Sequence, residues 1–476
     1  VLTEPGDGVI IQPPVYYPFS LTTRIAGRRL VNNPLLRQGD TYEIDFEDLE
    51  RKAADPANKV LIFCNPHNPV GRVWHAEELR RVADICERHH VFIIDDEIHN
   101  DLIMPGFQHT ALPTVSPSAS KICAYCTAPS KTFNLAGMQL SNIFIEDETV
   151  RSKLFMTKVM EMCISQVAVS YEACRLAYTA GEAWLAELIR TVNDNACYVK
   201  DFLASHIPEA KCCPLEGTYL LWVDFSALGL TSGELHQLML DARLYLDDGP
   251  MFGKEGRGFQ RFNLALPRSA LESAMARLDT TWAAVRAKRA AEGTPERIVL
   301  SAGMQMPDFT YDTPAARGLR FSEETRGKVT LLLFHRYASC LLCTQTLGEL
   351  ARQAPALAAA GVGIKVVLQS SPEAVCGADY PFEVICDPQR RLYDRFSVFP
   401  ADTIFALPGN HLHEMLPAAA DMFLSSGAQQ PEGDPLQLPA CFVIGGNGTV
   451  LYAHYSEDLF DLPDPKDLSG LLRAQH

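Results

Sequence analysis

The feature that most constrains this chain is a set of short apolar runs, each ended abruptly by a polar cluster. Val60-Leu61-Ile62-Phe63-Cys64 runs into Asn65-Pro66-His67-Asn68-Pro69-Val70-Gly71, and Val91-Phe92-Ile93-Ile94 runs into Asp95-Asp96-Glu97-Ile98-His99. A third run, 122–126, leads to Thr127-Ala128-Pro129-Ser130-Lys131. These runs have the length of strands rather than helices. Between the first two, residues 76–90 space Leu79, Val82, Ala83 and Cys86 on one face and keep Glu77, Glu78, Arg80, Arg81 and Glu87 mostly outside it, the pattern of an amphipathic helix. Strand, polar end and helix in alternation predict βαβ units and a parallel sheet. Ligands of such sheets sit beyond the carboxyl ends of the strands, so the polar clusters are expected to share one pocket.

An amide (Asn68), a carboxylate (Asp96) and an amine (Lys131) then meet at successive strand ends. That trio suits pyridoxal phosphate (PLP), which needs an amine for a Schiff base, an acid against the pyridine nitrogen and a donor near the ring oxygen. Tyr16, in Pro13-Pro14-Val15-Tyr16-Tyr17, follows the strand-like Gly8-Val9-Ile10-Ile11-Gln12 and is placed to stack on the ring. Any one of these residues alone reads as a surface or capping group. Their recurrence at consecutive strand ends is what carries the inference.

Bulk properties exclude more than they reveal. A formal charge of -16 argues against nucleic acid, which calls for a basic patch. No apolar run reaches the length of a membrane span and no basic start precedes an apolar segment, so the expected compartment is the cytoplasm. The 14 cysteines lack a regular spacing, which suits reduced thiols better than a disulfide framework.

The pattern divides the 476 residues. Residues 1–165 read as an α/β large domain. Residues 166–286 read as a smaller α+β domain with long helices, the strand Tyr219-Leu220-Leu221-Trp222-Val223-Asp224-Phe225, a strand over 259–264 and a helix over 269–286. Residues 287–296, Ala-Lys-Arg-Ala-Ala-Glu-Gly-Thr-Pro-Glu, read as a linker, with the frayed end of the preceding helix as the alternative. Strand and helix alternation restarts over 297–476 with Val329-Thr330-Leu331-Leu332-Leu333-Phe334, a helix over 342–357 and a strand over 364–368. Near the end, Gly445-Gly446-Asn447-Gly448 between two apolar runs predicts a hairpin. Cys340 and Cys343 lie after a buried strand at the start of the helix, where the helix N-terminus favours thiolate. Cys123 and Cys126 share that spacing but fall within a strand, point to opposite faces and read as core thiols. No metal is expected, because the two Cys-x-x-Cys pairs lie in separate modules and no His pair completes either.

Residues 1–286 resemble fold-type I PLP enzymes, and more closely the MalY/PatB group of carbon–sulfur lyases, also called cystathionine β-lyases. The resemblance implies Lys131 as Schiff-base lysine, Asp96 as pyridinium partner, Asn68 and His99 near the ring oxygen, Tyr16 as stacking ring, and Thr127 and Ser130 near the phosphate. It also implies that Arg261, in Gly258-Phe259-Gln260-Arg261-Phe262-Asn263, clamps the carboxylate of a small amino-acid substrate. A homodimer follows from the same resemblance. An aminotransferase is the main alternative, and a noncatalytic interaction protein on these folds a third. Aminotransferases of this type commonly carry a phosphate-binding arginine eight residues after the lysine. Gln139 stands there in this chain, which favours the lyase. The chain enters a strand almost at Val1, so the phosphate-holding turn and N-terminal arm of the family are expected upstream of it.

Residues 296–475 resemble peroxiredoxin-like proteins of the AhpC/TSA group within the thioredoxin fold. The motifs are His335-Arg336-Tyr337-Ala338-Ser339-Cys340-Leu341-Leu342-Cys343, Tyr380-Pro381-Phe382 with Cys386-Asp387-Pro388, and Leu438-Pro439-Ala440-Cys441-Phe442-Val443-Ile444. By analogy Pro439 is a cis-proline facing the cysteine site. Typical members carry a threonine three residues before the attacking cysteine, and Cys340 takes that place relative to Cys343. Which thiol attacks, and whether the module reduces peroxides, exchanges disulfides or only associates, stays open.

Overall fold

The structure, a computed structural model, describes residues 1–165, 167–292, 296–376, 380–401, 433–459 and 461–463, without the side chains of residues 292 and 341–345. The chain divides into two compact units, Val1–Glu292 and Gly293–His476.

In the first unit, β1 (Gly8–Ile11), β2 (Arg29–Asn32), β3 (Asn58–Cys64), β4 (Phe92–Asp96), β5 (Cys123–Thr127) and β6 (Asn142–Ile145) form one sheet in the order β2-β1-β3-β4-β5-β6. The first five are parallel and β6 is antiparallel. The expected helix is α1 (Ala76–Arg88), which buries Leu79, Val82, Ala83, Ile85 and Cys86 against the sheet core. Its start is secured by Glu78, whose carboxylate accepts the His75 N–H at 2.8 Å.

Register decides where the polar clusters go. Cys64 of β3 pairs with Asp96 of β4, and Asp96 pairs with Cys126 of β5. The three parallel strands therefore end level with one another, and Asn65, Glu97 and Thr127 leave the sheet at the same edge.

The rest of this unit contains α2 (Ala168–Ala180), α3 (Glu182–His206) and a four-stranded antiparallel sheet in the order β9-β10-β8-β7: β7 (Lys211–Cys212), β8 (Leu220–Asp224), β9 (Asp247–Asp248) and β10 (Phe259–Asn263). Trp222 and Phe259 stack at 4.9 Å, Phe252 meets Trp222 edge-on at 5.4 Å, and all three belong to the apolar core of the large sheet. This aromatic cluster ties the smaller lobe to the larger one, which is why Val1–Glu292 is a single compact unit.

Residues 287–292 follow the alternative to a linker and form the last turns of α4 (Arg268–Glu292). Ala-Lys-Arg-Ala-Ala-Glu is strongly helix-forming, and Arg289 donates to the Leu228 carbonyl at 3.0 Å. The remaining expected linker positions 293–295 lie outside the described residues.

The second unit has one five-stranded sheet of β11 (Val329–Phe334), β12 (Val362–Leu368), β13 (Glu383–Cys386), β14 (Ala440–Ile444) and β15 (Val450–Tyr455), ordered β13-β12-β11-β14-β15. β11, β12 and β13 are parallel, and β14 and β15 are antiparallel to their neighbours. The glycine-rich turn joins β14 to β15 as a hairpin, with Gly448 at φ 85°. Strands β11 and β14 are buried throughout, and apolar except for Thr330, because both faces are covered by core. Between them, α5 (Leu341–Ala359) follows β11 and begins directly after Cys340.

Candidate active site

Four segments converge beyond the carboxyl edge of the large sheet. The β3 end carries Asn65 to Asn68, the β4 end Asp96 to His99, the β5 end Thr127 to Lys131, and the β1 end Tyr16. His67 joins two of them: it is fully buried, and its Nε2 lies 3.0 Å from the Pro14 carbonyl oxygen, two residues before Tyr16. Burial pushes His67 down to about 4, so its ring is neutral and Nε2–H is the donor. The Val15 N–H donates to the Phe252 carbonyl at 2.9 Å, which fixes the same loop to the smaller lobe.

Arg261 reaches the site from β10. Its Nη1 donates to Asn68 Oδ1 at 2.7 Å, its Nη2 to Asp247 Oδ2 at 2.5 Å, and its guanidinium lies 4.7 Å from the Phe252 ring centre. The turn bearing Phe252 closes tightly enough that a Cβ on Gly249 would lie 2.0 Å from the Gly256 carbonyl oxygen, so glycine is required there. With Oδ1 engaged, the NH2 of Asn68 is the end left to donate.

The charges are graded by burial. Desolvation pushes the Asp96 carboxyl up to about 6, while the Ile98 N–H, 3.2 Å from Oδ1, and the positive charge of Lys131 pull it down. His99 is pushed down to about 3 by burial, then by Lys131 and Arg261, and is therefore neutral. Its ring meets Tyr219 edge-on at 5.6 Å, and its Nδ1 is buried with no partner among the described residues. Tyr16 is raised chiefly by desolvation, with Arg261 lowering it and Asp96 and Asp247 raising it. Tyr16, Asp96, Lys131, His99 and Arg261 thus share one electrostatic neighbourhood.

A planar cofactor with a protonated ring nitrogen fits these residues. Asp96 is a carboxyl that burial discourages from ionising and that a ring N–H⁺ would restore, and His99 offers a buried orphaned nitrogen. Thr127 is buried at the β5 end, and Ser130 is half-buried in the helical turn Pro129–Thr132 that carries Lys131. Gln139 is exposed at φ 49°.

Three contributors were not legible as site residues in the sequence: His67, Tyr219 and Asp247. His67 sits inside a motif read only for its asparagine, and Tyr219 inside a segment read only as strand. Asp247 faces Arg261 through the β9–β10 register, which no local pattern reveals.

In the second unit, Cys340 is buried. Arg336, itself buried, donates from Nη2 to its Sγ at 2.7 Å and from Nη1 to the Pro435 carbonyl at 2.7 Å. The side chain of Cys343 lies outside the described residues. The cis-proline expectation fails at Pro439: cis bonds precede Pro14, Pro66 and Pro69, and none precedes Pro439. The Pro439 carbonyl accepts the Ser456 N–H at 3.2 Å, so the extended ladder of β14 with β15 continues through this residue. Cys123 and Cys126 are free; burial pushes both thiols up, Cys126 to about 12, as befits core residues.

Aminotransferase class I and II matches residues 1–278. The chain belongs to that family. Cystathionine beta-lyase PatB of Bacillus subtilis is 40% identical over 277 residues, 58% of this chain and 72% of the relative. Protein MalY of Escherichia coli is 33% identical over 286 residues, 60% of this chain and 73% of its own length. Among solved structures, cystalysin from Treponema denticola, which contains a pyridoxal 5'-phosphate cofactor, superposes with a TM-score of 0.59 at 39% identity, over 60% of this chain and 72% of that one. The PLP-bound C-S lyase from Staphylococcus hominis gives 0.55 at 30% identity, over 59% and 73%. These are fold-type I neighbours, as the sequence implied. The AhpC/TSA antioxidant enzyme family matches residues 349–458, so this chain carries such a domain after the first. That match begins after Cys340 and Cys343.

Proposed function

We propose that this chain is a PLP-dependent carbon–sulfur β-lyase that cleaves cystathionine or a related L-cysteine S-conjugate to a thiol, pyruvate and ammonia, and that its second domain performs thiol redox chemistry. The observation that carries the reading is the convergence of Lys131, Asp96, Asn68, His99 and Arg261 at one sheet edge, in a chain 40% identical to a cystathionine β-lyase.

When bound, PLP supplies an electron sink for charge developing at the substrate Cα. Asp96 would hold the ring nitrogen protonated, Asn68 would donate its NH2 to the ring oxygen beside neutral His99, Tyr16 would stack on the ring, and Thr127 and Ser130 would hold the phosphate. Arg261 binds the substrate carboxylate. The Lys131 amine anchors the cofactor, and once released by the substrate it takes the Cα proton. The Cβ–S bond then breaks with its electron pair on sulfur, the thiolate leaves, and water hydrolyses the remaining unsaturated amine to pyruvate and ammonia. Gln139, in the place of the aminotransferases' arginine, supports elimination over amino transfer.

In the second domain, the guanidinium on Cys340 Sγ supports Cys340 as the attacking thiol, with Cys343 as its partner. The chain is further inferred to work as a homodimer, because Phe144, Phe155, Met160, Val167, Tyr171 and Trp184 expose large apolar surfaces within 144–184. The cytoplasm is the inferred compartment, since the cysteines of the first unit, Cys64, Cys86, Cys123 and Cys126 among them, are free thiols among the described residues. Among the described residues no helix is long and apolar enough to cross a membrane.

The test is pyruvate release from cystathionine with no keto acid added, together with the visible absorbance of the PLP-loaded chain. Lys131→Ala is expected to abolish both. Amino transfer that depends on a keto acid would replace the lyase by an aminotransferase, and absence of any Lys131-dependent absorbance would make the domain noncatalytic.

A further inference from the structure

Arg261 is held in part by a carboxylate of the chain itself. Asp247 and Arg261 are direct cross-strand partners on β9 and β10, and Asp247 Oδ2 takes Nη2 at 2.5 Å. The two partners differ in how firmly they are fixed. The Arg261 side chain is 11% exposed and anchored by Asn68 and the Phe252 ring, whereas the Asp247 side chain is 44% exposed on a strand of two residues. Arg261 Nε is buried with no acceptor among the described residues, so Asp247 meets the guanidinium through Nη2 alone rather than as a two-point fork. The neighbouring Asp248 is committed elsewhere, lying 2.6 Å from His236 Nδ1 and accepting from Gln260 Nε2 at 2.6 Å, and is not available to replace it.

We propose that Asp247 is an internal competitor for the substrate's α-carboxylate. It satisfies Arg261 between turnovers and swings toward solvent when an L-amino acid enters, and by doing so it sets the affinity of the site for α-carboxylates. The inference rests on reading Arg261 as the substrate clamp. An incoming carboxylate binds only the fraction of molecules in which Asp247 has released Nη2, and its apparent dissociation constant is raised by that fraction.

The experiment is calorimetric titration of the full PLP-loaded chain with 3-(methylthio)propionate, a carboxylate that lacks the α-amine. A half-exposed ion pair is worth up to about 1 kcal/mol, so Asp247→Ala is expected to tighten binding by roughly two- to fivefold, and KM for cystathionine should fall in parallel. Asp247→Asn, which keeps the shape, should tighten it less, and Asp247→Glu should restore the original affinity. Damage to the fold would weaken binding rather than strengthen it. Unchanged or weaker binding in both Asp247→Ala and Asp247→Asn, with Arg261→Lys abolishing binding, overturns the role of Asp247 and leaves the clamp standing. Binding that survives Arg261→Lys overturns both.

Discussion

Asp96→Asn should make the PLP-free chain more stable, and increasingly so as pH rises. Burial carries the carboxyl from an ordinary 3.8 up to about 6 in the folded chain. Because the folded value is the higher one, the protonated form is favoured by folding. That contribution is fully present below pH 3.8 and is lost as pH rises through 6. A displacement of this size makes the ionised carboxyl unfavourable by about 1.6 kcal/mol at pH 5 and about 3 kcal/mol at pH 8. Asparagine carries no charge at either pH. The stability advantage of Asp96→Asn over the parent is therefore expected to grow by about 1.4 kcal/mol between pH 5 and pH 8. Urea unfolding followed by tryptophan fluorescence measures it cleanly, since the 4 tryptophans (Trp74, Trp184, Trp222 and Trp282) all lie in the first unit. Asp95 and Glu97 are present in both proteins and their contributions largely cancel in the difference. PLP should reverse the order, because a protonated ring nitrogen compensates Asp96 and has no anion to meet in the variant. An advantage that is equal at the two pH values, or that shrinks at pH 8, would refute the account of Asp96 as a carboxyl prepared for a cationic partner.

Two further outcomes follow from the geometry. In a Cys343→Ser background, Arg336→Gln should slow alkylation of Cys340 by iodoacetamide at pH 7 by about tenfold, because the guanidinium at 2.7 Å favours the thiolate; an unchanged rate by peptide mass spectrometry rules that out. Phe155→Asp with Met160→Asp should convert a dimer to a monomer in sedimentation equilibrium, and a parent chain that is monomeric at micromolar concentration removes the dimer proposal.

The large sheet was legible because its central strands β1, β3 and β4 are largely covered on both faces, and β3 and β4 stop at polar clusters. Val60 to Cys64 and Val91 to Ile94 leave no helical stripe to confuse with α1, whose own apolar spacing is unambiguous. The register then follows from burial, since a shift of one residue would turn Asp96 and the other clusters away from their shared edge. The boundary near residue 287 was open between linker and helix end for a local reason. Gly and Pro at 293 and 295 argue for a linker, whereas Ala-Lys-Arg-Ala-Ala-Glu prefers helix and Arg289 has carbonyls to bind in the neighbouring turn.

The site was legible only as far as each residue announces itself along the chain. Lys131, Asp96 and Asn68 stand at the ends of their own strands, so one-dimensional order places them. Asp247 has no such marker: it becomes Arg261's partner through antiparallel pairing of β9 with β10, and it reaches the pocket because Trp222, Phe252 and Phe259 seat the smaller sheet on the larger. His67 is similar, since its link to the Tyr16 loop spans 53 positions in sequence and depends on β1 lying beside β3. The groups proposed to perform chemistry sit where local pattern can find them, whereas those proposed to position or compete with them are fixed by long-range pairing. A pair such as Asp247 and Arg261 therefore has to be read from the register of the sheet, and its effect is measured in the affinity of the clamp rather than in the chemistry at Lys131.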